Sequence, residues 1–275
     1  MEKKQWTTSG GPTIAYREYG LAAPGRPALV LLHGFCGSAA YWDEVVPMLG
    51  DERRIVVPDL RGHGDSEAPE GPYSTEAMAD DIASLLGGLL TEPAVVLGHS
   101  LGGYVTLALA ERYPEQLAAF GLIHSTAYPD DEKGKAGRDK SMATIREQGI
   151  GPFVEGLVPK LFAPPHLESM SDDVQDAIDI GYGTSANGAI ATLQAMKDRI
   201  DRNHVLSGSR KPVLLVAGVA DGIIPPERTF SASGEQIRRH TILGAGHMSL
   251  MEAPEELAQV IASFLTTLEH KPARL

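Results

Sequence analysis

The chain has 275 residues, of which 43% are hydrophobic and 22% are charged, and its formal net charge at pH 7 is −12. This balance excludes a disordered or membrane-embedded chain, and the length predicts one large soluble domain with room for an inserted subdomain. Lys and Arg form no basic cluster, and the net charge would repel phosphate backbones and anionic lipids. We therefore expect no nucleic-acid partner and no membrane partner.

Cys36 is the single cysteine. No disulfide can therefore form within the chain, which fits a reducing compartment. The segment from Met1 to Trp6 lacks the apolar stretch of a signal peptide, and no apolar run is long enough to span a bilayer. These features predict a cytoplasmic location.

The first half of the chain alternates short apolar runs with amphipathic stretches. Two strands are predicted at residues 3–9 and 13–19, on either side of the turn Gly10-Gly11-Pro12. Apolar runs that predict buried strands lie at 28–32, 54–57, 94–97 and 120–123. Helices are predicted at 39–49, at 74–90 and, after the run at 94–97, up to Ala110. This alternation indicates an α/β fold, with a mostly parallel central sheet and helices on both faces.

The pattern pauses after Ser125 and resumes with predicted strands at 213–217 and 239–243 and a helix from Pro254 to about Leu268. The intervening segment shows no buried-strand pattern. Its helical stretches, separated by Gly and Pro, lie at 131–148, 152–162, 172–180 and 186–200. Because structureless loops of this length are uncommon, we interpret 127–205 as a helical cap inserted into a core formed by 1–126 and 206–275.

The segment Gly98-His99-Ser100-Leu101-Gly102 joins a predicted strand to a predicted helix. A turn this tight strains the backbone of the central serine and leaves no room for side chains two residues away. It raises the hydroxyl above the carboxyl edge of the sheet and over the N-terminus of the helix. We therefore predict that Ser100 is a nucleophile and not merely a turn residue.

A serine hydroxyl needs a base, and the base needs an acid to orient it. Asp221 and His247 each follow a predicted strand, so both should emerge at the same edge as Ser100, in the chain order Ser, Asp, His. The competing acids are Asp59 and Asp65. The competing histidines, for which structural roles are the better interpretation, are His33, His63, His99 and His124.

Acyl transfer also needs two N–H donors for the oxyanion that develops. The Leu101 N–H, at the start of the helix, is the first candidate. The second is the Phe35 N–H, in the loop after the strand at 28–32, where Gly34 lets the backbone turn. The neighbouring Cys36 has no clear base, which favours a packing role.

Five segments in order resemble the α/β-hydrolase superfamily over nearly the whole chain. They are HGF at 33–35, DLRGHGDS at 59–66, GHSLGG at 98–103, ADGIIP at 220–225 and GAGHM at 244–248. The resemblance implies the α/β-hydrolase fold with an inserted helical cap, the Ser100-His247-Asp221 triad and an oxyanion hole of Phe35 and Leu101. These sequence segments are most similar to those of capped carboxylesterases, enol-lactonases and carbon–carbon bond hydrolases. Dehalogenases and epoxide hydrolases differ, because they use an aspartate where this chain has Ser100.

The leading hypothesis is a serine hydrolase that cleaves small carboxylic esters through an acyl-enzyme, with no cofactor and no metal. No GxGxxG or HExxH motif indicates a dinucleotide or a metal site. The alternatives are a diketone hydrolase, an enol-lactonase or a perhydrolase with the same triad, or a receptor with little turnover. Cap residues would decide between them, and the candidates for the substrate pocket are Phe153, Leu157, Phe162, His166, Tyr182 and Met196. The oligomeric state and the preferred acyl group are not indicated.

Overall fold

The structure is a computed structural model that describes residues 3–8 and 10–269. Its strands are Lys4–Thr7 (β1), Thr13–Tyr19 (β2), Leu29–Leu32 (β3), Ile55–Pro58 (β4), Ala94–His99 (β5), Leu117–Ile123 (β6), Val213–Gly218 (β7) and Ile237–Ile242 (β8). They form one sheet in the order β1-β2-β4-β3-β5-β6-β7-β8. The β1–β2 hairpin is antiparallel, β2 pairs antiparallel with β4, and every other pairing is parallel.

Eleven α-helices lie within the described part of the chain. They are Thr75–Leu89 (α1), Leu101–Arg112 (α2), Glu132–Gln148 (α3), Ile150–Leu157 (α4), His166–Ser169 (α5), Ser171–Tyr182 (α6), Ala186–Asp198 (α7), Asn203–Ser207 (α8), Pro226–Thr229 (α9), Ser249–Glu252 (α10) and Pro254–Glu269 (α11). Among these helices, none is long and apolar enough to cross a membrane.

Helices cover both faces of the sheet because alternate strand residues point to opposite sides. On one face, Val30 and Leu32 pack in a buried cluster with residues of α1 and α2. On the other face, Leu29 and Leu31 pack with residues of α11. The central parallel strands are therefore apolar on both sides, as the sequence predicts, and the α/β fold is confirmed.

Six helices, α3 to α8, lie between β6 and β7, and the structure describes every residue of that segment without assigning a strand to it. They join the rest of the molecule through polar contacts as well as apolar ones. Arg202, just before α8, forms ion pairs with Glu76 and Glu111. The backbone N–H of His247 donates to the Leu161 carbonyl at 2.7 Å. This contact brings the inserted helices against the loop that follows β8. The division of the chain into core and cap domains stays a prediction.

Several predicted elements differ from the observed ones. The single helix predicted at 39–49 is two 3-10 turns, Ala39–Trp42 and Val46–Leu49, the second carrying a proline in its first turn. The helix predicted at 152–162 ends at Leu157. A proline also follows here, and Pro159 lacks the N–H that would continue the helix. Residue 9 of the first predicted strand, and 270–275 of the predicted core, lie outside the described residues.

Candidate active site

The turn between β5 and α2 holds Ser100 in a backbone conformation that L-residues rarely adopt. Its φ is 50° and its ψ is −111°. Two hydrogen bonds fix the residue in place: the Ser100 N–H donates to the Ile123 carbonyl at 2.9 Å, and the Ser125 hydroxyl donates to the Ser100 carbonyl at 2.7 Å. The end of the neighbouring strand β6 and the residues just after it thus hold the strained turn.

The two glycines that flank the turn are sterically required. A Cβ atom at Gly98 would lie 2.1 Å from the Gly102 carbonyl oxygen, and a Cβ atom at Gly102 would lie 2.6 Å from the Leu32 carbonyl oxygen. Both obstacles are backbone atoms, which cannot swing aside as a side chain can. Glycine is therefore needed at both positions because the strand and the helix approach each other closely.

Asp221 and His247 meet at the carboxyl edge of the sheet, in the loops that follow β7 and β8. Both side chains are buried, and His247 Nδ1 lies 2.8 Å from Asp221 Oδ2. Because an ionised carboxylate can only accept, Nδ1 carries the proton and Nε2 of the neutral ring is left as an acceptor. The other carboxylate oxygen, Oδ1, accepts from the backbone N–H groups of Ile223 at 2.8 Å and Ile224 at 2.9 Å.

His124 is a second histidine on the same carboxylate oxygen. It follows β6 with a φ of 48°, and its Nδ1 lies 3.1 Å from Asp221 Oδ2. Its Nε2 lies 2.7 Å from the Ser249 hydroxyl. Burial lowers the pKa of His124 below its ordinary value, although the Asp221 carboxylate acts in the opposite direction. The neutral ring then donates to Asp221 and accepts from Ser249, so both nitrogens have partners.

The Asp221 carboxylate stays ionised in this surrounding. Burial by itself raises its pKa, but electrostatic attraction by His247 and His124 and their hydrogen bonds together outweigh burial and hold the pKa well below its usual range. The side-chain ligand atoms of the three residues lie within 4.8 Å of one another. The hydrogen bonds between them account for that spacing.

A small cavity of about 150 Å³ opens onto this edge of the sheet. Its walls are Phe35, Tyr41, His99, Ser100, Tyr104, Arg138, Leu157, Leu161, Met196, Ile223 and His247. Ser100 and His247 therefore face one enclosed space, although they are far apart in sequence. Inserted helices supply part of the wall, and larger surface grooves, such as one of about 840 Å³ beside Arg26 and Lys211, lie away from Ser100.

The six predicted pocket residues separate into two groups. Leu157 and Met196 line the cavity, and the Phe153 ring contacts that of Phe35, with 6.0 Å between their centroids. The other three lie elsewhere. Phe162 is buried in the core cluster, His166 contacts Glu252 at 2.8 Å, and the half-exposed Tyr182 donates to Glu155 at 2.8 Å. These three positions are not part of the cavity wall, because helix ends and turns within the insertion direct them away from it.

The cavity also includes residues that sequence reasoning missed. They are Tyr41, His99, Tyr104, Arg138, Leu161 and Ile223. Two of them could have been predicted from their positions in the sequence. Tyr104 lies one helical turn after Ser100 in α2, and Ile223 lies two residues after Asp221. Arg138 could not be predicted in this way, since it lies in the polar helix α3 among many other charged side chains.

The two predicted oxyanion donors have N–H groups with no protein acceptor within residues 3–8 and 10–269. Leu101 is the first residue of α2, where backbone N–H groups have no partner one turn earlier. Phe35 lies in the loop after β3, and its side chain lines the cavity. Neither N–H group therefore has a protein acceptor that a ligand would have to displace.

The loop that carries Phe35 is held by a neutral histidine. His33 Nδ1 lies 2.7 Å from the Gly34 carbonyl oxygen, and His33 Nε2 accepts from the Leu60 N–H at 2.8 Å. A proton on Nε2 would oppose that second hydrogen bond. Burial lowers the pKa of His33 to about 4.

The competing acids have other partners. Asp59 accepts from the backbone N–H groups of Ala39 at 2.6 Å and Asp65 at 2.9 Å, so it braces two loops. The Asp65 side chain pairs with Lys3 at the surface. Neither carboxylate bonds to a histidine ring in the described part of the chain.

Comparison with known proteins agrees with the fold. A family model described as the alpha/beta hydrolase fold matches residues 27–254. A thermophilic esterase from Thermogutta terrifontis, solved with malate bound, is 30% identical, with a TM-score of 0.90 over 98% of this chain and 100% of that chain. The 3-oxoadipate enol-lactonase 2 of Acinetobacter baylyi is 26% identical over 269 residues, which are 95% of this chain and 96% of that protein. The enol-lactonase of Burkholderia xenovorans has the same fold, with a TM-score of 0.86 at 24% identity over 96% of this chain and 100% of that chain.

Gly98→Ala should destabilise the protein by about 1–3 kcal/mol, because the new methyl group forces the Gly102 carbonyl away. Gly87→Ala is the matched control: a Cβ atom there meets nothing within 4 Å, so this change in α1 should stabilise by about 0.5–1 kcal/mol. Urea unfolding of the two variants measures both effects. Equal effects from the two substitutions would contradict the steric account of the turn.

Folding stability should rise with pH between about 4 and 6.5 in part because of His33. In this window the unfolded chain binds a proton on His33 that the folded chain does not, and the contribution is fully present above pH 6.5. His33→Asn should lower the slope of the unfolding free energy against pH by about 1.4 kcal/mol per pH unit. His33→Gln, a second uncharged replacement, should lower it equally. An unchanged slope in both variants would show that His33 titrates alike in the folded and unfolded chain.

Proposed function

Since the chain belongs to the α/β-hydrolase family and is a hydrolase, we propose that it cleaves small carboxylic esters, with Ser100 as the nucleophile. One observation carries the proposal: Ser100 and the histidine bound to Asp221, His247, line the same cavity. The free N–H groups of Phe35 and Leu101 support it. A strained serine, a tautomer fixed by a carboxylate and two unused donors are the parts that acyl transfer requires.

In the proposed mechanism, His247 Nε2 takes the proton of the Ser100 hydroxyl as its oxygen attacks the acyl carbon. The Phe35 and Leu101 N–H groups bind the negative oxygen that develops. Protonated His247 then gives its proton to the leaving alcohol, and an acyl-enzyme remains. Water repeats the sequence, with His247 as base, to release the acid and restore Ser100. Asp221 holds the ring in one tautomer and stabilises its charged form.

The cavity favours a small substrate. Its volume of about 150 Å³ lies below the range of roughly 300–1,000 Å³ that pockets for drug-sized ligands span. Phe35, Leu157, Leu161 and Met196 give it apolar walls. Because inserted residues complete those walls, we propose that the segment at 127–205 acts as a cap that selects the substrate.

An enol-lactone is the second candidate substrate. A lactone is an internal ester, so the same groups would open it by the same steps. The relationship to the Acinetobacter baylyi enol-lactonase along 95% of this chain favours including lactones in any substrate panel. Diketones, and peroxide with acetate, complete that panel and test the carbon–carbon hydrolase and perhydrolase hypotheses.

Ser100→Ala should abolish covalent labelling by a fluorophosphonate probe and hydrolysis of short methyl esters, because the attacking oxygen is lost. The matched control is Ser207→Ala, which removes the hydroxyl of an exposed serine at the end of α8. Labelling is measured by mass spectrometry of the intact protein. Persistence of the label in Ser100→Ala would refute the assignment of the nucleophile.

Asp221→Asn should lower kcat by up to about 10⁴-fold, because an amide can present an N–H where the histidine needs an acceptor. Asp59→Asn provides the comparison for the competing acid and should affect stability more than the turnover of folded protein, since Asp59 binds backbone N–H groups. Steady-state kinetics on a methyl ester, corrected for the folded fraction, measure both variants. A larger loss of kcat in Asp59→Asn would move the acid role to that residue.

A further inference from the structure

One charged side chain lines the candidate active-site cavity. Among the described residues of its wall, only Arg138 carries a permanent charge, and it reaches the cavity from α3. The remaining wall is aromatic, aliphatic, hydroxyl or imidazole. A cation in this position contrasts with the whole chain, whose net charge is −12.

The hydrogen bonds of Arg138 leave most of its donors unused. Its Nε donates to Asp130 Oδ2 at 3.0 Å. Its two Nη groups have no protein acceptor within residues 3–8 and 10–269. The side chain is 27% exposed, so it is partly removed from water while its outer N–H groups remain available.

The ion pair with Asp130 does not neutralise this region. Asp130 also binds Arg199, whose Nη2 lies 2.8 Å from Asp130 Oδ1, so two guanidinium groups share one carboxylate. The other two guanidinium nitrogens of Arg199 each donate to a carbonyl oxygen, Nε to that of Tyr128 and Nη1 to that of Met196. Arg199 also lies over the ring of Tyr104, 4.2 Å from the centroid. The side chains of Arg138, Arg199 and Asp130 together carry one net positive charge, and Arg138 is the arginine whose two Nη groups both lack a protein acceptor among the described residues.

This arrangement is more than support for Asp130. Arg199 alone already provides that carboxylate with a buried cationic partner. The second arginine, Arg138, lines the cavity and has two Nη groups without a protein acceptor among the described residues. A planar pair of Nη groups is the geometry that binds carboxylates through two parallel hydrogen bonds. The apolar walls around it weaken competition from water and strengthen such a pair.

We propose that Arg138 binds a carboxylate of the substrate, so that the preferred substrates are small esters with a free carboxylate at the far end of the acyl chain. Half-esters of short dicarboxylic acids belong to this class. The short cavity limits the spacer between ester and carboxylate to a few carbon atoms. The proposal rests on ester hydrolysis at Ser100 and specifies which esters are taken.

Two methyl esters of equal length test this specificity. Monomethyl succinate carries a carboxylate where methyl butanoate carries a methyl group. Arg138→Gln should lower kcat/KM for monomethyl succinate by about 10- to 100-fold, and for methyl butanoate by less than about 3-fold. Arg138→Lys keeps the charge but loses the planar fork and should fall between wild type and Arg138→Gln.

Arg146→Gln is the matched control. It removes the same charge from an exposed position on α3 that does not line the cavity. It should leave both kcat/KM values unchanged. Thermal unfolding checks that Arg138→Gln folds, which is expected because Asp130 keeps Arg199 as a partner. An equal loss on both esters, or no loss on monomethyl succinate, would overturn the role of Arg138.

Calorimetric titration with succinate separates this inference from the hydrolase reaction. Wild type should bind succinate, and Arg138→Gln should bind it at least about 10-fold more weakly. Binding that depends on Arg138, in a protein that cleaves neither ester, would retain the carboxylate site and refute ester hydrolysis. If hydrolysis of methyl butanoate depends on Ser100 but succinate binding does not change in Arg138→Gln, ester hydrolysis is retained and the carboxylate site at Arg138 is refuted.

Discussion

The arrangement of the carboxyl edge of the sheet depends on the hydrogen bonds that the Asp221 carboxylate accepts. Its Oδ2 accepts from His247 and His124, and its Oδ1 accepts from two backbone N–H groups in its own loop. The loops after β6, β7 and β8 thereby converge on one buried anion. An ionised carboxylate at this depth is stable only because each of its oxygens is bonded. The three loops therefore share one anionic partner.

Backbone strain concentrates at the same edge. In the described part of the chain, the residues other than glycine with a positive φ are Cys36, Ser100 and His124, which follow β3, β5 and β6. Such conformations persist only where surrounding structure determines them. Here the support is the interior of a parallel sheet, whose strands are buried on both faces. The strained turns at the sheet edge are therefore stabilised by the buried sheet that they follow.

The sheet and the inserted helices contribute different parts of the site. The sheet edge supplies Ser100, Asp221 and His247, and the proposed proton transfer would require their relative positions to be held to within fractions of an ångström. The insertion supplies Leu157, Met196 and Arg138, which give the cavity its size, its apolar walls and its charge. In the proposed function, reactive groups lie on the rigid sheet and selective groups on the inserted helices, so the two sets can vary independently. This separation explains how one fold serves many substrates.

The amino-acid sequence alone was sufficient to predict the fold and to place Ser100, Asp221 and His247 at one edge of the sheet, because both depend on local patterns. Apolar runs gave the parallel strands, and Gly98 and Gly102 marked a turn whose crowding involves only nearby backbone. Chain order and strand ends were enough to bring Asp221 and His247 to the same edge. The cavity wall, the contact of His124 with Asp221, and the positions of Phe162, His166 and Tyr182 outside that wall became apparent only from the packing of the whole fold. Those features depend on how helices joined by irregular turns rotate against the sheet, and no sequence period records that rotation. Arg138 is the clearest case, because it shares Asp130 with Arg199, which lies 61 positions later in the chain, and no local pattern predicts that contact.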